Sequence, residues 1–182
     1  VISYRKLLTE YTGIDYLYTE EEDLCTYIEK NMSGFPNDIR TWDKDTLLQY
    51  IVCFAIEPHL GRGELIAVTH FPASQAALAA ITQIDNECVA ERFEVYLQGI
   101  ELANGYHELT DPQEQKERLL LASKKREQMG KSALPIDELF LKALHTGLPD
   151  CCGVAVGFDR LMMLRHSKQT IRDVMPFSWQ EI

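Results

Sequence analysis

Two glutamates, Glu94 and Glu101, lie on either side of Gln98-Gly99 in the stretch AERFEVYLQGIELANGYHEL (90–109). Residues 90–97 alternate, with Phe93, Val95 and Leu97 on one face and Glu94, Tyr96 and Gln98 on the other, as in a strand. If Gln98-Gly99 is a two-residue turn, Leu97 faces Ile100, Tyr96 faces Glu101 and Glu94 faces Ala103. The two carboxylates are then diagonal neighbours, roughly 7–8 Å apart at the backbone. Converging carboxylates repel. A hard cation such as Mg²⁺, which takes carboxylate and phosphate oxygens together, would relieve the repulsion, and so would simple hydration. Spacing alone favours a wet hairpin face over a metal–nucleotide site. Glu108 lies an odd number of residues beyond Glu101, so a regular strand turns it to the opposite face. Glu101, Asn104 and Glu108 converge only if Asn104-Gly105 bends or bulges the strand.

A second group is Gly153-Val154-Ala155-Val156-Gly157-Phe158-Asp159-Arg160. Glycines at both ends of a buried strand allow a flat ligand to approach the backbone. Arg160, in the first turn of the helix that follows, can grip a phosphate bidentately near the helix N-terminus. The competing reading is that Gly157 serves packing and Arg160 pairs with Asp159 or another acid. His59, His70, His107, His145 and His166 are scattered and form no H-E-x-x-H pair, which disfavours a zinc hydrolase. Phosphate loops of the G-x-x-x-x-G-K-[ST] type, G-x-G-x-x-G after a strand and G-x-S-x-G elbows are absent.

These residues must be held by a scaffold of 182 residues, enough for about one domain. Apolar residues make up 46% and charged residues 25%, ordinary values for a globular chain. The net charge of -10 argues against non-specific nucleic-acid binding. The segment 112–131 has six basic and three acidic residues and could dock an acidic partner, although a solvated helix is the favoured reading. Five cysteines without C-x-x-C spacing indicate neither a disulfide framework nor a zinc ribbon, and point to a reducing, cytoplasmic setting. No apolar run approaches the ~18–20 residues of a membrane span. The chain starts at Val1 with no signal peptide, so it reads as a processed or truncated piece.

Residues 1–63 read as helices. Ser3 caps the first and Gly13 stops it. Thr19-Glu20-Glu21-Glu22 forms a capping box for the second, with Leu24, Tyr27, Ile28 and Met32 on its apolar face. Asp43 or Thr41 caps the third, which runs through Leu47, Leu48, Ile51, Val52 and Ala55 to Pro58. Residues 64–182 read as strands mixed with helices: a buried strand at 64–71, a small-residue helix at 74–81, the hairpin, a helix from Asp111-Pro112 to about Met129, another from Asp137 to Gly147, the strand 153–157, a helix from Phe158, and a short turn from Thr170. This order predicts an α+β antiparallel sheet flanked by helices, with 1–182 as a single domain.

Three blocks then carry a resemblance: AERFEVYLQGIELANGYHELTDPQEQ (90–115), GLPDCCGVAVGFDRLMML (147–164) and TIRDVMPF (170–177). Together they resemble the C-terminal half of a class II lysyl-tRNA synthetase catalytic core. The second block is similar to the third class II signature motif. The wording FPASQAALA (71–79), ELANGYHEL (101–109) and PDCCGVAVG (149–157) is most similar to the short branch of that family that attaches (R)-β-lysine to elongation factor P. Lysyl-tRNA synthetases more usually carry glycine where this chain has Ala103 and Ala155. A methyl at Ala155 would reshape the pocket beside the amino acid, worth a few kcal/mol at most.

The resemblance implies a partial class II synthetase sheet. It also implies ATP- and Mg²⁺-dependent activation of lysine or β-lysine as an adenylate, followed by transfer to elongation factor P or to tRNA-Lys, in a homodimeric parent protein. By position it implies that Glu94 and Glu101 hold Mg²⁺, and that Glu101, Leu102, Gly157 and Arg160 bind ATP. Asn104, Tyr106 and Glu108 would contact the amino acid beside Ala155, with Glu101 and Arg160 as the catalytic pair. Residues 1–63 resemble the insertion after the second class II motif. The first two motifs are missing there, so the chain reads as a fragment. A synthetase-like module without activity is the further alternative.

Overall fold

Local capping chemistry sets most helix boundaries in the computed structural model, which describes residues 1–177. Ser3 accepts from the Lys6 amide and opens α1 (Tyr4–Thr12), which Gly13 ends at φ 76°. α2 (Glu21–Asn31) starts differently from expectation. Glu20 holds the N-cap position with no side-chain bond, and Thr19 donates its hydroxyl to Asp15 O at 2.8 Å instead of capping. Glu21, Glu22 and Asp23 in the first turn leave dipole attraction to stabilise that start. Asp43 caps α3 (Lys44–Ile51), accepting from Thr46 N at 2.9 Å, so Thr41 is not the cap. A side-chain cap of this kind contributes ~1 kcal/mol.

The helix expected to continue through Ala55 ends at Ile51. A π turn (Val52–Ile56) follows, then a 3₁₀ turn (Glu57–His59) that contains Pro58. The wider π turn rotates burial from Ala55 to Ile56.

Among the described residues the sheet has six strands: β1 (Ile2–Ser3), β2 (Ile66–Pro72), β3 (Ile81–Ile84), β4 (Glu87–Leu97), β5 (Ile100–His107) and β6 (Cys152–Val156). Their order is β1-β2-β4-β5-β6, with β3 added on β4. β1 pairs in parallel with β2, Ile2 opposite Val68, while β3 and β4 are antiparallel, Ile81 opposite Ala90. The class is α+β as expected, but the sheet is mixed rather than wholly antiparallel. β6 was expected to be buried. It ends the strand order instead, with Val154 and Val156 more than half exposed.

The chain divides into two compact units. The first comprises Val1–Phe71, Phe93–Gly105 and the residues from Val154 onward. Its core is built by α1, α2 and α3: Leu7, Leu8, Leu24, Ile28, Leu47, Leu48 and Ile51 are all buried. Each such aliphatic side chain contributes roughly 1.5–3 kcal/mol on burial. The Tyr4 ring packs on Tyr16 and Phe71 at centroid distances of 5.7 and 5.1 Å. In the same unit α6 (Phe158–Arg165) follows Gly157, and a 3₁₀ turn (Ile171–Val174) follows Thr170.

The second unit comprises Pro72–Arg92 and Tyr106–Gly153. Asp111 accepts from Gln113 N and Glu114 N to start α4 (Pro112–Gln128), and Asp137 caps α5 (Glu138–His145). The helix expected over 74–81 does not form. Only Ala73–Gln75 makes a 3₁₀ turn, and Ala77 sits at φ 51°. Strand pairing captures the rest: Ala80 N donates to His107 O at 2.8 Å, and Leu109 N to Leu78 O at 2.9 Å. Asp85 and Asn86, both at positive φ, make the tight β3–β4 turn.

Gln98 and Gly99 also have positive φ, 54° and 74°, so the expected two-residue turn forms between β4 and β5. The segment Glu57–Gly61 clasps this tip. Gly99 N donates to Leu60 O at 2.7 Å, and Gln98 N to Gly61 O at 2.9 Å. Gly61 has φ +67°, and a Cβ there would stand 2.6 Å from Leu97 Cα. The Gly61→Ala variant is therefore expected to lower stability by about 2 kcal/mol or more, from left-handed strain plus a backbone clash. Thermal denaturation of the protein measures this, and an unchanged midpoint would contradict the clasp.

Candidate active site

In the first unit, β4 turns Glu94 and Tyr96 to the protein interior. They are 8% and 1% exposed, whereas Phe93, Val95 and Leu97 are half-buried. The wet hairpin face that spacing favoured is thus a buried one. Burying a carboxylate requires partners, and both Glu94 oxygens have them. Tyr96 donates its hydroxyl to Oε2 at 2.5 Å, and Asn104 donates Nδ2 to Oε1 at 3.2 Å. A regular ladder from the tip would set Ala103 opposite Glu94. The Asn104 bond therefore requires the bend that the sequence left open.

Tyr96 reaches a further carboxylate, since its hydroxyl lies 3.2 Å from Glu57 Oε1. Burial pushes the Glu57 carboxyl up from its ordinary value; the Tyr96 bond opposes this, and the charges of Glu94 and Glu101 reinforce it. Burial, then the Glu94 charge, likewise pushes the Tyr96 hydroxyl up. Neither residue stood out in the sequence as a site residue. The usable signal was that Tyr96 shares Glu94's face of the strand. Glu57 had no local signal.

Glu101 and Arg160 meet at the open side of this cluster. The Arg160 guanidinium donates to Glu101 O at 2.8 Å and lies 3.3 Å from Glu101 Oε2. Arg160 therefore pairs with an acid, but with Glu101 rather than Asp159. Leu102 is buried, and its carbonyl accepts from Gly157 N at 2.8 Å. A Cβ on Gly157 would press the Arg160 stem at 3.3 Å, so this glycine leaves space for the guanidinium. Ala155, on β6, is exposed.

The donors suit Mg²⁺ carried on a triphosphate better than a metal caged by protein alone. Among the described residues no group of three or more His, Cys, Asp or Glu is arranged to hold a metal. Mg²⁺ commonly takes one or two carboxylates plus substrate phosphates, however. Glu94 and Glu101 supply that number. Asn104 Oδ1, buried without a hydrogen-bond partner, supplies a free acceptor beside them. Its orientation follows from the amide nitrogen facing the Glu94 carboxylate.

The second unit holds Tyr106 and Glu108. The Arg92 guanidinium lies 6.0 Å from the Tyr106 ring centroid. Glu108 N donates to Cys151 O at 3.0 Å, and its carboxylate lies so close over Gly153 that a Cβ there would collide with Oε1. Gly153 thus makes room for Glu108. His107, between them in sequence, bridges Glu91 Oε2, at 2.5 Å from Nδ1, and Asp150 at Nε2.

Asp150 and then Glu91 raise the His107 pKa above its ordinary 6.5. A raised folded value means that the clamp's contribution is full below pH 6.5 and is lost as pH rises through the folded value. Thermal midpoints of the protein, measured across that window, are expected to fall more for the wild type than for His107→Asn. Parallel profiles would contradict the clamp.

The family model described as tRNA synthetases class II (D, K and N) matches residues 53–181, and the chain belongs to that family. Among curated relatives, the elongation factor P–(R)-β-lysine ligase of Haemophilus influenzae (strain ATCC 51907 / DSM 11121 / KW20 / Rd) is 44% identical over 178 residues, covering 97% of this chain and 54% of the relative. Those of Photorhabdus laumondii subsp. laumondii and Avibacterium paragallinarum are each 45% identical over 177 residues, with the same coverage. The chain spans about half the length of the curated relatives it matches.

Proposed function

We propose that the parent protein uses ATP to activate lysine or (R)-β-lysine as an adenylate and transfers the acyl group to a lysine of elongation factor P. In this reading the chain is a portion of a single class II catalytic core, and the parent works as a cytoplasmic homodimer. The names of the curated relatives support the substrate and the acceptor. The chemistry is supported above all by the buried Glu94 carboxylate next to the Glu101–Arg160 pair. Among the described residues no helix is long and apolar enough to cross a membrane.

In this proposal Glu94 and Glu101 hold the Mg²⁺, which would neutralise phosphate charge. Glu101, Leu102, Gly157 and Arg160 bind ATP. Arg160 exchanges its resting partner, Glu101, for a phosphate, and this frees Glu101 for the metal. These two residues act by positioning and charge neutralisation. The amino-acid carboxylate attacks the α-phosphorus and pyrophosphate leaves. The acceptor amine then attacks the acyl carbon, losing a proton, and AMP leaves. Asn104, Tyr106 and Glu108 contact the amino acid, with Glu108 opposite an ammonium group and Ala155 shaping the pocket.

The parent protein is expected to exchange labelled pyrophosphate into ATP when lysine or β-lysine is present, and Glu101→Ala is expected to abolish this. Undiminished exchange in that variant would contradict the site. Acylation of elongation factor P and not of tRNA-Lys is expected. Charging of tRNA-Lys alone would make the parent a lysyl-tRNA synthetase.

A further inference from the structure

One further carboxyl group close to the proposed metal ligands, Glu57, has no role in that reading and is contributed by the helical region rather than by the hairpin. Three observations tie it to Glu94. First, the Tyr96 hydroxyl stands between the two carboxylates, 2.5 Å from Glu94 Oε2 and 3.2 Å from Glu57 Oε1. Second, Tyr96 is 1% exposed, so packing fixes the ring and its oxygen can serve as a rigid post. Third, the residues just after Glu57 are locked to the tip of the same hairpin. Leu60 O and Gly61 O accept from Gly99 N and Gln98 N, and neither glycine has room for a side chain without pressing on backbone. The π turn at Val52–Ile56 immediately precedes Glu57 and sets its direction.

We infer that Glu57 is a positioning residue which, through Tyr96, fixes the Glu94 carboxylate for Mg²⁺–ATP, and that Glu57–Gly61 is the strut connecting the helical region to the metal-binding hairpin. The inference rests on the proposed Mg²⁺–ATP reading. A glutamate has three rotatable side-chain bonds, and a carboxylate that must meet a small octahedral cation gains from having both oxygens held. Asn104 holds one oxygen. Tyr96 holds the other with its single proton, and Glu57 packs against the hydroxyl from the far side without taking that proton. Glu57 itself touches neither metal nor nucleotide.

The test is calorimetric binding of ATP to the full-length parent, with MgCl₂ and separately with EDTA, for the wild type, Glu57→Leu, Glu57→Gln, Glu57→Asp and Tyr96→Phe. Losing one hydrogen bond to a charged group is worth about tenfold. Glu57→Leu and Tyr96→Phe are expected to weaken Mg²⁺–ATP by about that factor while leaving metal-free ATP binding unchanged. Glu57→Gln, which still bonds Tyr96, is expected to restore most of the loss. If the leucine and phenylalanine variants do not fold, Glu57→Asp decides: its shorter reach is expected to weaken Mg²⁺–ATP selectively. Wild-type-like Mg²⁺–ATP binding in every folded variant, or an equal loss with and without Mg²⁺, overturns the inference while the functional reading stands. No Mg²⁺–ATP binding by the wild type overturns the functional reading and this inference with it.

Discussion

A carboxylate in the interior of a sheet is the constraint around which the first unit is organised. Glu94 is nearly buried, and an ionised carboxylate placed there without partners would cost several kcal/mol. The fold answers with two donors, the Tyr96 hydroxyl and the Asn104 amide, each aimed at a different oxygen. A second acid, Glu57, lies against the Tyr96 hydroxyl, and the charge of Glu101 bears on both Glu57 and Tyr96. Concentrating negative charge in this way is unfavourable for a resting protein. It suits a site that receives a cation together with its polyphosphate.

The Arg160–Glu101 pair belongs to the same balance. Half-exposed ion pairs contribute little to stability, so this one can open at small cost. Glycines clear the space that these side chains need. Gly157 yields to the Arg160 stem, and in the second unit Gly153 yields to the Glu108 carboxylate. The helical region is more than an appendage, because its Glu57–Gly61 segment holds the hairpin tip by two backbone hydrogen bonds.

What was legible in the sequence was local. Gln98-Gly99 read as a tight turn because glycine adopts positive φ without strain between two alternating runs, and Asp111-Pro112, Asp137 and Ser3 read as helix starts because capping is decided within four residues. The α+β class followed from the order of such elements. What escaped was tertiary. Residues 74–81 carry small helix-compatible side chains, yet pairing with residues 107–109 takes their backbone bonds. Thr19 matches a capping box, but its hydroxyl donates to Asp15 O and Glu20 takes the N-cap position. The hairpin carboxylates could be named from spacing, but not that their face is buried, because its cover includes Glu57, far away in sequence. The Glu57–Tyr96–Glu94 chain was invisible for the same reason.

The most direct measurement is the position of a divalent metal. Crystals of the parent protein grown with ATP and Mn²⁺ in place of Mg²⁺ would locate the ion by anomalous scattering. An anomalous peak coordinated by Glu94, Glu101 and phosphate oxygens, with Arg160 turned from Glu101 to the triphosphate, is the expected result. Nucleotide bound with no metal at these carboxylates, or bound elsewhere while Arg160 stays on Glu101, would contradict the account.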